Sequence, residues 1–170
     1  MTALQQTVLV VLRTLIGWHF LYEGYFKLLR PAWGQDGAPL ADWSAAGYLR
    51  GATGPFASMF NSLGASSWIG AIDVVVAIAL VLVGLSLMLG LLTQSGCVGA
   101  MALLTMFYVT AIPTSGLPEG RLEGTYLFVN KNLIELVAVG VVCAFRTGRI
   151  AGLDQWLSAR RPAPALEEAA

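Results

Sequence analysis

The sequence predicts an all-α integral membrane protein: a bundle of four transmembrane helices, with short interfacial helices in the first outer loop. Of the 170 residues, 56% are hydrophobic and 12% are charged, whereas an average soluble domain carries about 25% charged residues. Four apolar stretches approach the roughly 20 residues that a helix needs to cross a bilayer. Helices are expected because an open strand would leave backbone groups unpaired in hydrocarbon.

The four predicted spans form one transmembrane domain over residues 1–150. The third span ends before Pro113, because proline cannot continue the hydrogen-bonded ladder of a helix. Within the second span Gly70, Ala77 and Gly84 recur every seven residues, which predicts a close-packed seam. The spans are expected at about residues 6–29, 67–92, 96–112 and 126–145, with a cytoplasmic tail over 151–170.

The connection over residues 30–66 is the predicted outer loop, and it is too long to be structureless without a functional reason. We expect short helices here, and two roles stay open. An aromatic belt at the level of the lipid headgroups is favoured, and a lid over a substrate site is the alternative. The large side chains concerned are Trp43, Tyr48, Phe56, Met59 and Phe60.

Positive charge in short flanking segments predicts the orientation of the chain. The C-terminus is expected in the cytoplasm, and with four spans the N-terminus lies there too. The arginines that follow the fourth span are Arg146, Arg149, Arg160 and Arg161.

Composition also excludes several classes of site. A formal net charge of zero provides no basic surface for nucleic acid. One histidine and two cysteines cannot build a histidine-rich metal site or a bis-histidine haem site, so no metal or haem is predicted. Cys97 and Cys143 are expected to be inert thiols rather than a redox pair.

Charged residues recur inside the first span, in the segment GWHFLYEGYFKLLRP and just before it. At about 100° per residue, Arg13, His19, Glu23 and Lys27 share one arc of about 120° on the helix. A charge at a helix centre in lipid costs about 2.5 to 3.5 kcal/mol. This face is therefore predicted to point into the bundle.

Other spans carry matching charges. Asp73 in the second span and Lys131 and Glu135 in the fourth are expected at a depth similar to that of Glu23, with Glu135 a little deeper, which predicts one enclosed cavity near the outer face. Arg13 stands apart, as a buried structural charge nearer the cytoplasm. The alternative is local pairing at i,i+4 within each helix, with lysine side chains reaching to the interface.

Three segments resemble the DoxX/DoxD family, and they look most like its DoxD-type branch, associated with the small subunit of thiosulfate:quinone oxidoreductase. These segments are LRTLIGWHFLYEGYFKL, WSAAGYLRGATGPFASMF and EGTYLFVNKNLIELVAV. The resemblance covers about residues 8–146 and implies a four-helix protein of the prokaryotic cytoplasmic membrane, linked to electron transfer. It highlights Arg13, Gly17, Phe20, Gly24, Lys27, Asn130, Lys131, Asn132 and Glu135.

The resemblance leads to the hypothesis of a membrane subunit in a quinone-linked redox system, possessing a charged pocket near the outer face and working with a second redox subunit. Such a site needs an apolar slot, donors for the quinone oxygens and a path for protons. The expected proton-carrying catalytic residues are Glu23, Asp73, Glu135 and His19. The expected quinone contacts are Lys27, Asn130, Lys131, Asn132, Trp18, Phe20 and Tyr22.

Two other functions stay open beside this hypothesis. A non-catalytic scaffold or assembly subunit would recruit a soluble oxidoreductase, and its buried ions would specify helix register. A small-solute carrier is less favoured, because the four spans contain no evident repeat. The oligomeric state stays open.

Overall fold

The computed structural model of the chain describes residues 1–29, 43–112, 125–126 and 128–159. The chain is mostly helical, which confirms the predicted class of secondary structure. In chain order the elements are α1 Ala3–Leu29, α2 Ala45–Arg50, α3 Ala57–Gly64, α4 Ile69–Leu89, α5 Thr93–Thr110, β1 Thr125–Tyr126, β2 Val129–Asn130, α6 Lys131–Ala144, a 3-10 turn Thr147–Arg149 and α7 Leu153–Ala159.

The four longest helices pack side by side. Helix α1 lies along α4, α4 contacts α5, α5 contacts α6, and α6 returns to α1. The apolar core between them includes Phe20, Leu80, Leu87, Leu104 and Val139, each almost fully buried. This packing brings the second half of α1 and the start of α6 to the same end of the bundle.

Glycine allows α1 and α4 to approach closely. A Cβ atom built on Gly17 would lie 2.7 Å from the backbone nitrogen of Met88, and one built on Gly24 would lie 2.7 Å from that of Val81. On the α4 side, a Cβ on Gly84 would collide with the backbone of Leu21. The predicted close-packed seam is therefore present at Gly84. It does not extend to Gly70, because no neighbour lies within 4 Å of a Cβ atom built there.

The helix that matches the fourth predicted span begins at Lys131, not at Tyr126. Asn130 has an extended backbone, and its side-chain oxygen accepts a hydrogen bond from the amide of Leu133 at 3.0 Å. Tyr126 instead pairs with Val129 in a short antiparallel ladder. An asparagine N-cap satisfies a helix-end amide, which fixes the first turn after residue 130.

The helix that matches the third predicted span begins at Thr93, not at Gly96. Left-handed backbone at Gly90 and Leu92 makes the sharp reversal between α4 and α5, so the helix starts as soon as this turn is complete. Helix α5 ends at Thr110, and Pro113 lies outside the described residues.

The predicted outer loop contains short helices, α2 and α3, as expected, while residues 30–42 lie outside the described part. Hydrogen bonds fasten this segment to the bundle. The amide of Ala45 donates to Asp73 of α4 at 2.7 Å, and that of Thr53 donates to the carbonyl of Thr110 at 3.0 Å. The segment therefore lies over one end of the helices.

Among the described residues, one helix is long and apolar enough to cross a membrane by length and composition, and it is α4, Ile69–Leu89. Its most apolar stretch has a mean hydropathy of 2.8 and is only 33% buried. Helix α1 carries Arg13, Glu23 and Lys27, and α6 has 14 residues. Of the four predicted spans, the second, which corresponds to α4, is the one that meets this test among the described residues.

The predicted tail begins with α7, which packs against the 3-10 turn that follows α6. Asp154 of α7 accepts hydrogen bonds from the amides of Leu92 and Thr93 at 2.7 and 2.8 Å. These bonds attach the tail to the start of α5. Arg160 and Arg161 lie outside the described residues.

Candidate functional site

A cavity of about 580 Å³, called the chamber below, lies between the four long helices and the α2–α3 segment. Its size falls within the range of about 300 to 1,000 Å³ that is usual for small-molecule sites. Most of its wall is apolar. The bundle contributes Phe20, Ile72, Val76, Leu80, Leu104, Met106 and Phe107 to this wall.

The α2–α3 segment closes one side of the chamber with Trp43, Leu49 and Phe60, among others. Tyr48 fixes α2 against α5, because its hydroxyl donates to the carbonyl of Phe107 at 2.8 Å. Burial raises the pKa of Tyr48 above its usual value, so this hydroxyl keeps its proton at neutral pH. Of the two roles considered for this segment, its position fits a cover over a site.

The imidazole, carboxylate, ammonium and amide groups on the chamber wall come from α1 and α6. They are His19, Glu23, Lys27, Lys131 and Asn132. Behind the wall, Glu135 lies 2.7 Å from His19, measured from Oε1 to Nδ1. The side chain of Glu135 is 16% exposed and that of His19 is 45% exposed. When Nδ1 carries the ring proton it donates to this carboxylate, and Nε2 is then the acceptor nitrogen of the ring.

Glu23 and Lys27 form an ion pair at i,i+4 within α1, which is the local pairing considered as the alternative. The Lys27 ammonium also lies 5.1 Å from the centre of the Trp43 ring, a distance that suits a cation–π contact. Lys131 differs from Lys27, because Lys131 forms no ion pair with a carboxylate in the described part of the chain. It lies within electrostatic range of His19 and Glu23.

Glu23 is the one predicted acid that lines the chamber among the described residues, and Asp73 does not line it. Its carboxylate is turned toward the start of α2, where it accepts the hydrogen bond from Ala45. The neighbouring Ile72 and Val76 occupy the chamber wall instead. The sequence predicts the depth of Asp73 along α4, but the direction of its carboxylate depends on helix α2, which packs against it.

Three predicted quinone contacts also lie elsewhere. Asn130 is buried as the N-cap of α6. Trp18 and Tyr22 are 54% and 50% exposed, with ring centres 6.1 Å apart on the outside of α1. Phe20 lies about 200° from each of them around the helix and is the aromatic residue of this group that reaches the chamber.

Arg13 lies at the other end of the bundle and is 3% exposed. Its guanidinium approaches Gly90 and lies within electrostatic range of Asp154. Cys97 is buried, Cys143 is half-buried, and both are free thiols. The described residues contain no cluster of three His, Cys, Asp or Glu side chains that could hold a metal ion.

Sequence reasoning missed Phe107 as a chamber residue and Asp154 as the cap of α5. The sequence marks Trp43 and Tyr48 only as aromatic residues of the outer loop. Phe107 carried a weak signal, since it lies one turn from Leu104 on the same face of α5. The sequence gives no such signal for Asp154, because its hydrogen-bond partners, the amides of Leu92 and Thr93, lie about 60 residues earlier in the chain.

The fold and the site together define a helical protein with an amphipathic chamber at one end of the bundle. Comparison with known proteins finds no matching family model, no matching curated protein and no matching solved structure.

Proposed function

We propose that the four long helices cross a bilayer and that the chain is a membrane subunit of a quinone-linked redox system. The exposed surface supports the membrane part of this proposal. Large apolar side chains follow the outer faces of the helices, whereas soluble proteins rarely expose apolar patches above a few hundred Å². Those on α1 and α4 include Leu4, Val8, Val11, Leu15, Val74, Val75, Ile78, Leu82, Leu85 and Leu89.

The proposed location is the prokaryotic cytoplasmic membrane, with both termini in the cytoplasm. Arg146 and Arg149 are exposed at the end of the bundle where the fourth helix finishes. Positive charge beside a span favours the cytoplasmic side. The chamber would then open toward the periplasmic half of the membrane.

The observation that carries the quinone proposal is the His19–Glu135 pair, in which His19 lines a chamber whose wall is mostly apolar. A quinone ring and the start of its tail need an apolar slot, which Phe20, Leu104 and their neighbours provide. The ammonium of Lys131 and the amide of Asn132 would donate to a quinone oxygen. His19, oriented by Glu135, would hold or deliver a proton there.

In this proposal the electrons come from a partner redox subunit, as in a system of the thiosulfate:quinone oxidoreductase type. Reduction of a quinone to a quinol takes up two electrons and two protons. The donor supplies the electrons, and the polar wall supplies the route for protons. Lys131, which has no ion pair in the described part, would also attract an anionic donor.

The test is a search for bound quinone in the purified full-length chain. The chain is isolated in mild detergent, and its lipid-soluble molecules are extracted and identified by mass spectrometry. Val76→Trp would fill the chamber and is expected to remove the quinone. Val75→Trp is the matched control, because Val75 is 65% exposed and faces away from the core. Equal quinone content in both variants would contradict the proposal.

The second candidate is a non-catalytic scaffold that recruits a soluble oxidoreductase. One observation favours it: the His19–Glu135 bond links α1 directly to α6, as a device that sets helix register would. A scaffold should retrieve an oxidoreductase from solubilised membranes while containing no quinone. Val76→Trp should then leave this capture unchanged.

A further inference from the structure

Two thiols from different helices meet at the end of the bundle opposite the chamber. Cys97 lies one turn after the start of α5, and Cys143 lies in the last turn of α6. The chamber is lined instead by the end of α5 and the start of α6, at Phe107 and Lys131. A side-chain hydrogen bond joins the two thiol groups. The proposed quinone function makes no use of them.

Gln94 fixes the position of Cys143 independently of that bond. Its side-chain nitrogen donates to the backbone carbonyl of Cys143 at 3.0 Å, and its Oε1 accepts from the Cys143 thiol at 3.2 Å. Gln94 and Cys97 are three positions apart on α5, so they share one face of the helix. Cys143 is therefore held against the face of α5 that carries Cys97.

The two sulfur atoms differ in access. Cys97 is 0% exposed and belongs to the apolar core, whereas Cys143 is half-buried and packs against the edge of the same core. A thiol buried in apolar surroundings is unreactive. Cys143 is therefore the sulfur that a reagent reaches first, and Cys97 lies behind it.

The fold also brings a cation to this pair. From the sequence both thiols are expected to be inert, since no basic residue lies beside Cys97 in the chain. In the structure the Arg13 guanidinium lies within electrostatic range of Cys97, as well as of Asp154. Arg13 is 3% exposed, and its Nε and Nη1 atoms have no hydrogen-bond partner among the described residues. A buried positive charge here favours negative charge on sulfur.

From this arrangement we infer that Cys97 and Cys143 are a reversible redox pair, which a hydroperoxide oxidises to a disulfide between α5 and α6. A small uncharged oxidant suits a half-buried sulfur whose thiol is already bonded to Gln94. In the proposed orientation the pair lies toward the cytoplasm, where disulfides are transient because thiol reductants reverse them.

The oxidation has two steps. The Cys143 thiolate attacks one peroxide oxygen, the O–O bond breaks, and the departing hydroxide takes up the proton that Cys143 released. The product is a sulfenic acid on Cys143, which condenses with a neighbouring thiol. The Cys97 sulfur attacks the Cys143 sulfur, the S–O bond breaks, and the hydroxyl group leaves as water with the Cys97 proton. Hydrogen peroxide is reduced to two waters, and the two thiols lose two electrons and two protons.

The experiment uses the full-length reduced chain in detergent and hydrogen peroxide as the probe. Cys97 and Cys143 are the two cysteines of the sequence, so alkylation and peptide mass mapping follow both thiols directly. We expect one intramolecular disulfide, a loss of the mass of two hydrogen atoms, and recovery of both thiols with dithiothreitol. Sulfinic or sulfonic acid on Cys143 with Cys97 still reduced, a disulfide between two chains, or no reaction would overturn the inference.

The unfolded chain is the control for proximity. If the fold holds the sulfurs together, the disulfide should form at least about tenfold faster in the folded chain than in the chain unfolded by a denaturing detergent. Equal rates in the two states would overturn the inference, because the disulfide would then owe nothing to the contact between α5 and α6.

Two single variants test the order of the steps. In Cys97→Ala the sulfenic acid on Cys143 should accumulate and be trapped by dimedone, since no thiol is left to condense with it. In Cys143→Ala the buried Cys97 should resist peroxide while the chain stays folded. A sulfenic acid on Cys97 in Cys143→Ala, with none on Cys143 in Cys97→Ala, would overturn the assignment of Cys143 as the reacting thiol.

Discussion

The Nδ1 atom of His19 lies 2.7 Å from the Oε1 atom of Glu135, and this contact joins α1 to α6 across 116 positions of sequence. One partner lines the chamber and the other supports it from behind. A carboxylate behind an imidazole fixes the tautomer and orientation of the ring. The pair is therefore the place where the proposed proton transfer is most directly tested.

Glu135→Gln should abolish proton transfer while the fold is kept. A glutamine oxygen can still accept from His19, but it cannot stabilise a protonated ring. General acid–base catalysis contributes about 100-fold or more, so we expect a loss of about that size in quinol formation by membranes that contain the variant and its partner subunit.

Asp73→Asn is the control for this prediction, because Asp73 does not line the chamber and should support full turnover. Normal quinol formation in Glu135→Gln would argue against a proton-carrying role. Loss of partner capture in Glu135→Gln, with no quinone bound in the parent chain, would favour the scaffold.

Gly84→Ala should destabilise the contact between α1 and α4. The added methyl group would collide with the backbone of Leu21, and overpacking of this kind costs about 1 to 3 kcal/mol. Thermal unfolding in detergent should show a lower melting temperature. Gly70→Ala is the matched control, since its methyl group would meet nothing within 4 Å and alanine favours a helix. A similar fall in both variants would refute the tight seam at Gly84.

Asp73→Ala should loosen the cover over the chamber. Its carboxylate accepts from the first amide of α2, and a hydrogen bond to a charged group contributes about 1.5 to 3 kcal/mol. Hydrogen exchange in Ala45–Arg50 should therefore accelerate by at least about tenfold. Asp73→Asn retains an acceptor oxygen and should retain most of the protection. Faster exchange throughout α1 as well would indicate global unfolding instead of a released cover.

Asp154 should make stability depend on acid pH. Because the folded state holds its pKa below the usual value of 3.8, its contribution is present above that pH and disappears as the pH falls through the lower, folded-state pKa. Loss of a helix cap costs about 1 kcal/mol, so Asp154→Ala should be less stable than the parent chain at pH 7 by about that amount. The difference should shrink in strong acid. A constant difference down to low pH would contradict this assignment.

Periodicity predicted a substantial part of the site. The face shared by His19, Glu23 and Lys27 follows from the helical repeat, and all three residues line the chamber. Lys131 reaches the same chamber because the bundle brings the start of α6 beside the second half of α1. The positions of these residues are set by the helical repeat and by the order of the long helices in the chain. The pattern of apolar residues in the sequence specifies both.

The sequence by itself determined the helical class, the approximate places of the long helices and the polar face of α1, because these depend on composition and on interactions within about four residues. Tertiary structure alone decided that Asp73 binds α2, that Tyr48 and Phe107 close the chamber, and that Asp154 caps α5. Each of these contacts joins residues at least 28 positions apart. The direction of such a side chain is set by the helix packed against it, and no local repeat specifies that neighbour.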